Sequence, residues 1–188
     1  MMRLPLFPLQ LYLLPGGISK LRIFEARYTR LVKLAMASSD GFGLCMKDDD
    51  KICHFGTRAI ITDFESLPDG LLGVTIQGVD KFIINDYWHE DDGLHFGDVS
   101  LMDNWSKTEI RSIDRDVPNT LRVLLKEYPE HSVNYPTPDF EDMTWVCQRW
   151  LEILPLDTTQ KQWFMSRNDH RAALSFLHGV IDEKYRNN

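Results

Sequence analysis

The sequence predicts an α+β chain: a small closed sheet with one early helix over residues 1–105, followed by a helical bundle over residues 106–188. Three observations predict it. Short runs rich in β-branched residues and bounded by turn residues fill the first part. Past that point the apolar residues recur at helical rather than strand spacing. The helices of the second part also carry legible starts and stops. The join is placed in Ser106–Asp116, whose Ser106-Lys107-Thr108-Glu109-Ile110-Arg111 stretch lacks a sustained apolar face.

Taken in order, Leu9–Leu14 is expected as a strand that stops at Pro15-Gly16-Gly17, with a second strand restarting through Ile18, Leu21 and Ile23. From Glu25 to Ala37 the period changes, because Tyr28, Leu31, Val32 and Ala35 fall on one helical face. Five further strands are expected at Phe42–Met46, Thr57–Phe64, Leu71–Ile76, Lys81–Tyr87 and Leu94–Leu101, with Pro68-Asp69-Gly70 as a hairpin turn. Closing such strands into a barrel-like sheet hides their edges.

In the second part, Pro118 suits a first helical turn ahead of Leu121, Leu124, Leu125 and Tyr128, and Pro129 stops that helix. Phe140, Met143, Cys147, Trp150 and Leu151 form the stripe of the next helix, which ends at Pro155. Asp157 with Gln160 reads as a capping box, and Asn168 or Asp169 caps a last helix with Ala173, Leu174, Leu177 and Ile181 inside.

Composition narrows the function. A net charge of -7, from 28 acidic against 21 basic residues, repels phosphate backbones at long range and disfavours nucleic acid as a partner. No apolar stretch approaches the ~20 residues of a membrane span. The prolines of Met1-Met2-Arg3-Leu4-Pro5-Leu6-Phe7-Pro8 break what a signal peptide would need, and three sparse cysteines fit reduced thiols, so a cytoplasmic protein is expected.

Catalytic and cofactor signals are weak. The sequence has neither a G-x-x-x-x-G-K-[ST] phosphate loop nor a G-x-S-x-G nucleophile elbow, and no cofactor is expected. Ser106 and Lys107 are adjacent and would point to different faces of a strand. Cys45, Cys53 and His54 lack paired C-x-x-C spacing for a metal. His89, Glu90, Asp91, Asp92 and His95 read as a solvated turn around Asp92-Gly93 rather than a divalent-metal site. His131, His170 and His178 have no matching base or nucleophile beside them in sequence. Lys20, Arg22, Arg27, Arg30 and Lys33 are the one cationic concentration, without the aromatic interleaving of a nucleic-acid site.

Leu4-Pro5-Leu6-Phe7-Pro8-Leu9, Leu14-Pro15-Gly16-Gly17 and Leu21-Arg22-Ile23-Phe24-Glu25-Ala26-Arg27-Tyr28 resemble the opening of the Lon amino-terminal domain family. A second block follows in the same order: Gly56-Thr57-Arg58-Ala59-Ile60-Ile61, Leu67-Pro68-Asp69-Gly70, and Val74-Thr75-Ile76-Gln77-Gly78-Val79-Asp80-Lys81-Phe82. Leu154-Pro155-Leu156-Asp157, Lys161-Gln162, Arg171 and Leu174 are similar to the family's closing helices. The resemblance implies a PUA-like pseudo-barrel followed by a helical bundle. It also implies a stand-alone, non-catalytic module, without ATPase and peptidase parts, that recognises unfolded polypeptide or a protease partner. The rival readings are an RNA-binding PUA-like module and a small-molecule hydrolase. The family usually places arginine where this chain has Lys81, and lysine lacks the planar two-pronged donor. Trp145, Trp150, Trp163 and Phe164 are the candidate binding residues, because so many large aromatics in a small bundle should leave some facing the barrel, a partner or a ligand.

Overall fold

The structure, a computed structural model, describes residues 1–186, with side chains through Glu183. It is mixed α/β, with a six-stranded sheet and six helices among the described residues. The chain divides into two compact units, Met1–Asp103 and a second beginning at Asn104. No helix among the described residues is long and apolar enough to cross a membrane.

The first unit holds strands β1 (Met2–Pro8), β2 (Ile18–Ile23), β3 (Phe42–Asp48), β4 (Lys51–Ser66), β5 (Leu72–His89) and β6 (His95–Met102), with helix α1 (Ala26–Ala37) after β2. They run in the order β2-β5-β4-β3-β1-β6, and a further β5–β6 pairing closes the sheet on itself. β5 is the seam of this closure: its first half pairs with β2, its second half with β6, and residues 72–83 with β4. Leu4, Leu6, Phe82 and Val99 form one apolar cluster inside. The α1 stripe of Tyr28, Leu31, Val32 and Ala35 packs a second cluster with Ile23, Val74 and Ile76.

Two strand expectations are corrected. Leu9–Leu14 is not a strand; the strand is the preceding Met2–Pro8, and Tyr12, Leu13 and Leu14 are buried in irregular backbone. That backbone is satisfied by neighbours: Thr57 Oγ1 donates to Leu13 O at 2.6 Å, and Gly16 N donates to Gly78 O at 2.9 Å. The runs Leu71–Ile76 and Lys81–Tyr87 form one strand, because Gly78 lies inside the ladder instead of ending it. A Cβ at Gly78 would stand 2.5 Å from Leu14 O, so the glycine permits this crossing.

The second unit holds α2 (Asp116–Glu127), α3 (Pro129–Ser132), α4 (Met143–Ile153), α5 (Thr158–Met165) and α6 (Arg171–Arg186). α5 begins with the capping box read from the sequence: Gln160 N donates to Asp157 Oδ1 at 2.7 Å and Asp157 N donates to Gln160 Oε1 at 3.0 Å. Asp169 Oδ1 accepts from Arg171 N at 3.0 Å at the start of α6. Ser106–Thr108 is anchored rather than free: Thr144 Oγ1 donates to Ser106 O at 2.6 Å, and Met143 N donates to Thr108 O at 2.7 Å. α3 had no separate sequence signal beyond Pro129.

Candidate functional site

The four candidate aromatics occupy different environments within the second unit. Trp150, on α4, is 4% exposed, and its Nε1 donates to Val117 O of α2 at 3.1 Å, so it ties two helices together. Phe164 is 3% exposed and packs on Phe176, with ring centroids 5.4 Å apart. Trp163 is 47% exposed, edge-on to Phe164, with the Arg167 guanidinium 4.6 Å from its ring. Trp145 is half-buried between Tyr135 and Phe140, both edge-on at 5.5 and 5.6 Å. The structure therefore pairs Trp163 with Phe164 and gives Trp145 its own cluster.

That cluster is cationic as well as aromatic. Arg149 is buried and lies 5.6 Å from the Trp145 ring and 5.7 Å from the Tyr135 ring, while Arg122 lies 4.6 Å from Phe140. Arg149 Nε and Nη2 each donate to a Glu152 carboxylate oxygen at 2.8 Å, a fork-to-fork pair that holds the guanidinium charge inside. Sequence reasoning passed over Tyr135 and Arg149. The i, i+3 spacing of Arg149 and Glu152 was the one available signal for this pair.

A cleft of about 520 Å³ opens along one face of α6, with Met143 and Leu174 as its apolar lining and Arg111, His170, Ser175 and His178 as polar lining. His178 Nε2 lies 3.0 Å from Asp114 Oδ1 and Nδ1 lies 3.5 Å from Asp116 Oδ2. With a carboxylate at each ring nitrogen, His178 is poorly placed to take a substrate proton. Burial alone would raise the Asp114 carboxyl, but hydrogen bonds from Arg111 and His178 hold it below the usual carboxylate range. Burial lowers the His170 imidazole against the opposing effect of Asp169. Asp169 is pulled down to about 2 by the Arg171 side-chain hydrogen bond.

The remaining candidates are accounted for by ordinary contacts. Arg30 pairs with Glu90 and Asp92, Arg27 with Glu25, and Arg22 with Asp69, so the three arginines of this stretch are matched by carboxylates. Cys45 is buried and its thiol is pushed up to about 12 by desolvation; burial also raises Cys53 and Cys147. Protonated thiols of this kind are weak ligands and weak nucleophiles. His54 is exposed and stacks edge-on against Phe55 at 5.0 Å. Lys107 Nζ donates to Asp139 Oδ2 at 2.7 Å. His131 is exposed on α3. Lys81 is fully buried on β5 between Thr57 of β4 and Met102 of β6, and burial lowers its ammonium to about 8, with Asp103 opposing.

Comparison with known proteins gives a consistent picture. The family model for the substrate-binding domain of ATP-dependent protease La (LON) matches residues 3–182. A Lon N-terminal domain protein from Xanthomonas campestris is 30% identical, with a TM-score of 0.78 over 95% of this chain and 98% of that one. The N-terminal domain of a Mycobacterium avium complex Lon protease shares the fold at 14% identity, with a TM-score of 0.68 over 96% of this chain and 98% of that one. Comparison with curated proteins returns no match.

Proposed function

Because the chain belongs to the family of substrate-binding domains of ATP-dependent protease La (Lon), we propose that it is a non-catalytic module that binds unfolded polypeptide. The observation that carries this reading is the family match across residues 3–182, which includes both compact units. In this reading the closed sheet is a PUA-like pseudo-barrel and the helices of the second unit are a bundle that presents surface to a client. Trp163 and Trp145 are its contact residues, with Phe164 packed against Trp163 and Trp150 buried between α4 and α2. An exposed tryptophan beside an arginine offers apolar area at little cost in side-chain entropy, which suits a partner whose sequence varies. A cytoplasmic setting fits three free, buried cysteines.

A hydrolase has less to stand on, since His178 is held between two aspartates and the sequence has no nucleophile elbow. The test is a binding assay with a permanently unfolded protein, reduced and carboxymethylated, against its native form. Capture of the unfolded form alone, without ATP hydrolysis or cleavage, supports the reading. Equal capture of both forms, or of neither, overturns it.

A further inference from the structure

Resting on that polypeptide-binding reading, we infer that the outer edge of β4 from Ile60 to Ser66 captures an extended polypeptide by adding it to the sheet as a further strand. The edge favours a segment that alternates basic and apolar residues. β3 covers β4 only as far as Ala59, which pairs with Phe42. The cause is Gly41, which turns the chain into β3 at φ +72; a Cβ there would stand 2.2 Å from Ala59 O. Past this point β5 is the one strand neighbour of β4 among the described residues, and residues 62–66 are exposed.

The direction of the main-chain groups follows from the hairpin. Leu67 N donates to Leu71 O at 2.8 Å, so Glu65 and Gly73 form the next hydrogen-bonded pair, while Phe64 and Ser66 sit in the alternating pairs that do not bond across to Val74 and Leu72. The N–H and C=O groups of Phe64 and Ser66 therefore point away from β5. Phe64 N donates instead to Asp63 Oδ1 at 2.9 Å, a local bond that an incoming carbonyl replaces. At about 3.4 Å per residue this edge runs roughly 20 Å, the length of an ordinary strand.

Side chains select the occupant. On a strand bonded to Phe64 and Ser66, the positions opposite Asp63 and Glu65 fall in close pairs, where opposite charge is favoured and like charge is not. Between them, Phe64 is 57% exposed and faces the other side of the sheet, offering an aromatic surface to an apolar residue. A second copy of this chain fits badly: an antiparallel pair centred on Phe64 sets Asp63 of each copy against Glu65 of the other. The same acidic edge accepts a basic-apolar strand without such repulsion.

The test uses a fluorescent peptide of about ten residues alternating Lys with Val, and a Glu–Val counterpart, titrated with the intact protein. Phe64→Pro and Ser66→Pro each remove one outward N–H and no ladder hydrogen bond. Each is expected to weaken Lys–Val binding roughly fivefold to tenfold with unchanged circular dichroism, whereas Phe64→Ala weakens it while keeping the N–H. Glu65→Lys is exposed and tolerant, so it reports even if a proline variant misfolds: it should shift preference towards the Glu–Val peptide. Unchanged binding and preference in folded variants overturns the edge, and the polypeptide reading survives if carboxymethylated protein is still captured. A concentration-dependent dimer abolished by the same prolines overturns it in favour of self-pairing. Failure of wild-type protein to bind both the peptides and carboxymethylated protein defeats the underlying reading as well.

Discussion

The Asp114 carboxylate, on the short 3-10 turn before α2, lies 3.0 Å from His178 Nε2 on α6 and also accepts from Arg111 Nε at 2.7 Å. Its folded carboxyl lies below the ordinary value, so it binds protons more weakly than in the unfolded chain. The resulting stability is present above about pH 4 and is lost as pH falls through the depressed folded value. Asp114→Ala should therefore cost about 1–2 kcal/mol in urea denaturation at pH 7, and the gap from wild type should narrow below pH 4. A gap constant from pH 7 to pH 3 would show that the carboxylate charge is not what holds α6 there.

Lys81 gives the opposite slope. Its folded ammonium is lowered to about 8 by burial, so between there and the ordinary lysine value of 10.5 the unfolded chain binds the extra proton. Stability from this group must rise with pH across that window. Lys81→Met should be more stable than wild type at pH 7 by on the order of 2 kcal/mol, with the advantage shrinking as pH climbs from about 8 to about 10. Paired urea melts across that range check it. A variant that is less stable at every pH would mean that the contacts made by the ammonium outweigh its desolvation.

Glycine positions separate a steric need from a torsional one. Gly78→Ala drives a Cβ to 2.5 Å from Leu14 O, a backbone atom that cannot rotate aside, and should cost ~3 kcal/mol or more. Gly70, at the hairpin tip with φ +82, has no atom within 4 Å of the added Cβ, so Gly70→Ala carries only the torsional cost of about 1 kcal/mol. Thermal denaturation of the two variants ranks them, and equal losses would refute the close crossing at Gly78.

The parts of this fold legible in the sequence are those set by local pattern. The α1 stripe and the Asp157–Gln160 box involve residues within one or two helical turns, and both are present. β1 was hidden by its prolines, which break a strand only where both sides must donate. Pro5 lies beside β6 before β3 pairing starts at Leu6, and Pro8 lies beside β3 after β6 pairing has ended at Leu6. Each proline thus has one strand neighbour. The single long β5 was hidden by Gly78, whose reason is a contact with Leu14 distant in sequence. In the candidate site, the abundance of aromatics was readable, but their exposure was not. Trp150 and Trp163 differ through partners such as Val117 O, brought in by tertiary packing. The Asp114–His178 contact spans 64 positions and left no local trace.

That difference between two tryptophans separates folding from binding. Trp150 is 4% exposed and its indole N–H bonds Val117 O, so Trp150→Ala leaves a cavity and removes the bond that ties α4 to α2. It should cost ~3–5 kcal/mol, whatever the protein binds. Trp163 is 47% exposed and contacts Phe164 and Arg167 through its ring, so truncation removes surface that water already reaches. Trp163→Ala should cost under about 1 kcal/mol in the same melts. If Trp163 meets the client, the alanine variant should also weaken capture of carboxymethylated protein roughly tenfold, since exposed tryptophans carry a large share of the energy at interfaces. Trp163→Phe restores part of the apolar area and should recover part of the binding. A Trp163→Ala protein that melts like wild type and captures unfolded polypeptide equally well removes this residue from the binding surface, leaving Trp145 as the remaining partly exposed member of the set.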